Sequence, residues 1–98
     1  MTNMTPVEAY TFVERLGLKR DQRSEKIIMT DPEWAYRYAR NIIKDRWLEA
    51  ESVIIKDPES AYWYARHVIK ERWPEAEQYI MKDLELWDWY ETSFNIND

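Results

Sequence analysis

The chain repeats itself. Asp31 to Lys56 reads DPEWAYRYARNIIKDRWLEAESVIIK, and Asp57 to Lys82 reads DPESAYWYARHVIKERWPEAEQYIMK; 17 of 26 paired positions are identical, without a gap. A period of this length belongs to stacked units, each burying its apolar face against its neighbours. The same shift backward sets Pro6 on Pro32, Ala9 on Ala35, Tyr10 on Tyr36, Phe12 on Tyr38 and Ile28 on Ile54. The shift forward sets Asp83, Glu85, Trp89 and Tyr90 on Asp57, Glu59, Trp63 and Tyr64. The predicted layout is one domain over residues 1–98, with units at 5–30, 31–56 and 57–82 and a terminal half-unit at 83–98.

Each unit reads as two helices. In the third, Asp57 is placed to cap a first turn and Pro58 stands where no amide is needed. Ala61, Tyr64, Ala65 and Val68 then recur at helical spacing. Trp73 precedes Pro74 and is steered away from helical angles, so the first helix ends around Lys70–Arg72 and a short second helix opens at Pro74. In the first unit, Gly17, the only glycine in the chain, marks a left-handed cap after Leu16, and Asp21 is the cap of the second helix. Helices this short are marginal alone, so stacking must stabilise them. The predicted fold is all-α: a short, right-handed, solenoid-like array of α-hairpins, three repeats plus a C-terminal capping helix. Leu84 replaces the proline of the repeat, which predicts a weaker break before that last helix and allows it to run on from the one before.

Composition excludes several classes. There is no cysteine and one histidine, so disulfides, zinc-thiolate sites and histidine clusters are ruled out. No apolar run reaches membrane-spanning length, and the N-terminus lacks the regions of a signal peptide. A cytoplasmic location follows as the expectation. Net charge is −5. Residues 1–82 balance, and the imbalance sits in Asp83, Glu85, Asp88, Glu91 and Asp98. The nearest approach to a basic footprint, Arg15, Lys19, Arg20, Arg23 and Lys26, is diluted by Asp21 and Glu25 and reads as a solvated face.

Comparing units separates packing from specificity. Ala35/Ala61, Tyr36/Tyr62, Tyr38/Tyr64, Ala39/Ala65, Ile43/Ile69, Trp47/Trp73 and Ala50/Ala76 recur and are assigned to core and seams, with tyrosine hydroxyls emerging at the edges. The recurring charges Arg40/Arg66, Lys44/Lys70, Arg46/Arg72, Glu49/Glu75 and Glu51/Glu77 read as surface ladders between units. Among the columns that vary, Trp34 becomes Ser60, Arg37 becomes Trp63, and Asn41 becomes His67, which argues that His67 is a surface residue. In DLELWDWYETSFNIND, the tail, Asp88 and Glu91 replace core residues, as suits a cap with a polar outer face. The same segment carries exposed aromatics with an acidic rim, the chemistry of an interface for a basic partner. Trp34, Trp63, Trp87, Asp88, Trp89 and Glu91 are therefore the candidate partner-binding residues. No catalytic, metal or cofactor site is expected.

Tyr64–Glu77, YARHVIKERWPEAE, and Tyr38–Glu51, YARNIIKDRWLEAE, resemble a short tandem repeat of proteins from tailed phages and giant viruses. The likeness covers Asp31 to Asp83 well and departs in Asp45 and Glu71, where that repeat often has glycine. It implies a small viral accessory protein acting in the cytoplasm of an infected bacterium, and a protein as partner. The leading expectation is a non-enzymatic binding module that inhibits a host or defence protein. Alternatives are a DNA mimic, against which the balanced charge of residues 1–82 counts, and an assembly protein self-associating through its terminal helix.

Overall fold

A computed structural model describes residues 4–17 and 19–96; Met1, Thr2 and Asn3 of the leader and Asp98 of the acidic tail lie outside them. The described chain runs through α1 (Pro6–Leu16), α2 (Gln22–Ile28), α3 (Pro32–Tyr38), α4 (Leu48–Ile54), α5 (Pro58–Tyr64), α6 (Pro74–Ile80) and α7 (Leu84–Phe94), with no strand among the described residues. α1 packs on α2, α3 on α4 and α5 on α6. Successive first helices touch one another, and each second helix touches the first helix of the next unit. The result is an elongated all-α repeat array of 51 × 22 × 19 Å.

Local chemistry sets the boundaries. Thr5 and Glu8 form a reciprocal capping box at α1. Asp21, Asp31, Asp57 and Asp83 accept amides of the first turns of α2, α3, α5 and α7. Leu84 does not let α6 run on: α6 ends at Ile80, and Asp83 accepts from the Glu85 and Leu86 amides at 3.0 and 3.1 Å. A carboxylate cap is enough to start the helix without proline.

The period conceals a difference between the units. α1 is regular and ends at Gly17, whose φ is 66°. α3 and α5 instead widen into π segments, Ala39–Ile43 and Ala65–Ile69, closed by Lys44 N–H to Ala39 O and Lys70 N–H to Ala65 O, both 2.7 Å. Lys44 and Lys70 then take the left-handed conformation. Their alignment partner is residue 18, so the π turn absorbs one extra residue before the chain reverses. The departures from glycine at Asp45 and Glu71 therefore fall beside the left-handed position.

Alanines let the helices approach. Ala9, Ala35, Ala39, Ala50, Ala61, Ala65 and Ala76 are fully buried, and Tyr38, Tyr64, Trp47 and Trp73 fill the spaces between them. Ile43 and Ile69, assigned to the core from their recurrence, are only half-buried and pack against its edge.

Across each seam one hydroxyl makes two bonds. Tyr64, from α5, accepts from the Trp47 amide at 2.8 Å and donates to Glu51 at 2.7 Å, both residues of the unit before. Tyr38 does the same with the Asp21 amide and Glu25, and Tyr90 with the Trp73 amide and Glu77. Arg20, Arg46 and Arg72 each grip the same glutamate through Nε and Nη2. Trp47 and Trp73 supply no side-chain cap to α4 and α6, so the tyrosine of the next unit serves the start of the helix.

This corrects two expectations. Among the described residues no ion pair joins one unit to the next. Arg20–Glu25, Arg46–Glu51 and Arg72–Glu77 close within one unit, because the glutamate on the first turn of each second helix faces back to the arginine just before it. The tyrosine hydroxyls at the seams do not emerge at the edges either; in the other column, Tyr36 and Tyr62 are buried too, but their hydroxyls accept from the exposed Arg40 and Arg66. The glutamate side chains keep only 13–14% exposure against 39–50% for the arginines. Each carboxylate is thus mostly withdrawn from water and depends on the three bonds it accepts from its arginine and tyrosine.

The seams have a pH signature. Burial, reinforced by Glu25 and Glu77, pushes Tyr38 and Tyr90 up to about 12, and burial raises Tyr64 as well. Burial also opposes the charge on Glu25, but its bonds from Arg20 and Tyr38 outweigh that and hold its carboxyl below the ordinary value. The Arg72 bond does the same for Glu77. Because the tyrosine values are raised in the fold, their contribution is complete below the ordinary 10.0 and disappears as pH climbs through about 12. The glutamate contribution is complete above the ordinary carboxylate value and disappears as pH falls through the depressed one. Thermal midpoints should be flat from neutral pH to about 10 and fall beyond it, with phenolate absorbance of the seam tyrosines appearing together with unfolding. Ionisation of every tyrosine near pH 10, with the fold intact, would refute the buried hydroxyl bonds.

Candidate protein-binding face

One column of the first helices points outward and changes from unit to unit: Thr11, Arg37, Trp63, Trp89. Trp63 and Trp89 occupy equivalent places on α5 and α7. Tyr62 meets both, at 4.8 Å from the Trp63 ring and 6.1 Å from Trp89. Trp89 keeps 42% of its surface exposed. Trp63 is half-buried, lies flat on His67 at 5.3 Å with 5° between planes, and has the Arg66 guanidinium 5.7 Å from its ring.

A groove of about 300 Å³ runs beside Trp63 between the first helices of the second and third units. Tyr36, Arg37, Arg40 and Asn41 form one wall, Ser60, Trp63 and His67 the other, and Glu33, Asp57 and Glu59 add acid. Three of these residues, Arg40, Asn41 and His67, stand on the π segments, irregularities that recur at functional sites. Burial, with Arg40 and Arg66 nearby, pushes His67 below its ordinary value. A neutral imidazole therefore stacks on Trp63, and the cation at that ring is Arg66. His67 is half-buried, deeper than its variable column implies.

The six candidate residues separate into groups. Trp63 and Trp89 share the outward row, with Asp88 exposed beside Trp89 and Glu91 half-buried. Trp34 lies on α3 at the seam of the first two units, half-buried against Tyr10 at 5.1 Å and below the Arg37 guanidinium at 5.0 Å. Trp87 is also half-buried and stacks on Tyr90 at 5.2 Å. It occupies the column held by Ala9, Ala35 and Ala61, where no second helix follows among the described residues to require a small side chain. Sequence reasoning missed Tyr36, Arg40 and Asn41 as groove residues. Asn41 stands in a variable column, but Tyr36 and Arg40 recur, and their only signal is adjacency to such columns.

The groove and row offer a flat aromatic face, mixed charges and donors on both walls. Among the described residues no group of three or more His, Cys, Asp or Glu could hold a metal ion. No helix among them is long and apolar enough to cross a membrane. No family model matches the chain, and no curated protein or solved structure matches it significantly.

Proposed function

We propose that the chain is a non-enzymatic protein-binding module that recognises its partner through the Trp63–Trp89 row and the groove beside it, with Trp34, Asp88 and Glu91 at the borders. The observation that carries this reading is the coincidence of three features at one place: the column that differs between otherwise similar units, two outward tryptophans, and the π segments. A repeat scaffold keeps its seams constant and varies outward positions to gain specificity. The likeness of the repeat to viral proteins suggests an accessory protein that inhibits a host or bacterial-defence protein. Arg37 and Arg40 in the groove weigh against the DNA-mimic alternative, because a mimic needs continuous negative potential there.

The test is affinity capture from bacterial lysate, followed by calorimetry with the partner recovered. Trp63→Ala with Trp89→Ala should weaken binding at least about tenfold, as truncation of aromatic hot spots does, while circular dichroism stays that of the parent. Undiminished binding by that double variant would refute this surface.

A further inference from the structure

The inter-unit face of α1 has no helix over it among the described residues, and its composition departs from that of the later units. Phe12 and Leu16 are 41% and 59% exposed; Met4 and Val7 are 40% and 41% exposed. With Glu8, Thr11 and Arg15 they line a shallow groove of about 510 Å³. At the Val7 column the other units carry Glu33, Glu59 and Glu85, and at the Met4 column Thr30, Lys56 and Lys82. Two polar columns have become apolar only where the face is open. Isolated apolar residues on a surface need no explanation, but a contiguous patch with this pattern marks a contact.

The chemistry of Phe12 narrows the occupant. Its column elsewhere holds Tyr38, Tyr64 and Tyr90, whose hydroxyls satisfy an amide and a glutamate of the preceding second helix. Phe12 can satisfy neither. A helix resembling α2, α4 or α6, docked here, would leave its cap amide without an acceptor and its glutamate with the arginine of its own unit but no hydroxyl donor, at a desolvation cost. The face suits an apolar surface with complementary charges instead, and α1 is one. Glu8 and Arg15 are two turns apart on the same side of the helix and equidistant from the midpoint between Thr11 and Phe12. In an antiparallel pair with its two-fold axis at that midpoint, Phe12 meets Phe12 of the other copy, and Glu8 of each copy stands level with Arg15 of the other. One Glu8 oxygen holds the Thr5 amide, which leaves the second for this bridge. Arg15 has no ion-pair partner within 4.0 Å among the described residues.

We propose that two copies of this chain associate through α1 in this isologous, antiparallel register. The reading does not rest on the Trp63–Trp89 row, whose tryptophans stand on α5 and α7. One exposed helix face is less than a standard interface of roughly 800 Å² per partner, so the pair is weak.

Sedimentation velocity on the whole chain tests it. The mass should rise from 12.1 kDa toward twice that value between about 10 µM and 1 mM, the range of a weak complex. Arg15→Glu alone and Glu8→Arg alone should each weaken the pair at least about tenfold by setting like charges level. An equimolar mixture of the two variants should recover dimer, because each then offers the charge that the other lacks. Glu8→Arg also gives up its capping-box bond, so its helicity is checked by circular dichroism; Leu16→Lys, outside the cap, supplies an independent loss. A wild-type chain that stays monomeric at 1 mM would overturn the proposal, and so would a dimer indifferent to both Arg15→Glu and Leu16→Lys.

Discussion

Trp47→Ala is expected to lower the unfolding free energy by about 3–5 kcal/mol, a large part of the roughly 5–15 kcal/mol available to a domain of this kind. Trp47 is 2% exposed and its ring lies 5.0 Å from that of Tyr38. Short helices on both sides cannot close the cavity without giving up their own seams. Urea unfolding followed by far-ultraviolet circular dichroism measures the loss. Trp89→Ala in parallel should cost under about 1 kcal/mol, as partly exposed residues away from buried networks do. Equal losses for the two would contradict the division of tryptophans into seam and surface.

Tyr64→Phe is the second large effect, although it removes a single oxygen. It leaves the Trp47 amide without its acceptor and takes a donor from Glu51. Orphaning a buried donor costs about 1–3 kcal/mol, well above the net worth of an ordinary hydrogen bond. Tyr36→Phe is the control: Tyr36 is buried, but its hydroxyl accepts from the exposed Arg40 guanidinium, which water can serve instead, so its loss should stay under about 1 kcal/mol, the net worth of an ordinary hydrogen bond. A Tyr64→Phe variant as stable as Tyr36→Phe would show that the seam hydroxyl carries no weight.

Much of the fold was legible because its punctuation is local. Asp21, Asp31, Asp57 and Asp83 start helices at the expected places, and Gly17 ends α1 in the left-handed conformation. The π segments were not legible from periodicity, since apolar spacing over so few residues cannot distinguish a regular turn from one with an added residue. A fainter sign was present: Gly17 aligns with Ile43 and Ile69, one residue before the left-handed lysines. The seam bonds escaped for a different reason. A recurring Arg and Glu five residues apart resemble a solvated pair, and the tyrosine that buries the glutamate lies 13 positions further along the chain. Phe12 was the available hint, being the one member of its column without a hydroxyl.

The candidate face was legible only in part. Variation between units singled out Trp34, Trp63 and the tail, and Trp63 with Trp89 does form an outward row. Trp34 and Trp87 sit only one column apart in the repeat and two or three from that row, and such small offsets decide which way a helical side chain turns. Trp87 therefore stacks on Tyr90 and Trp34 on Tyr10. Tyr36 and Arg40 recur between units and so carried the mark of scaffold, yet they line the groove because units two and three lie side by side there.

Whether the seam hydroxyls join one unit to the next is read most directly from a double-mutant cycle on Tyr64→Phe and Glu51→Ala, with Tyr64→Phe and Glu25→Ala, residues of different seams, as reference. Contacting residues of one network couple by about 0.5–3 kcal/mol, whereas distant sites add within roughly 0.5 kcal/mol. A coupling of about 1 kcal/mol or more for the Tyr64–Glu51 pair, against near-additivity for Tyr64–Glu25, is the expected result. Additive losses in both cycles would contradict it.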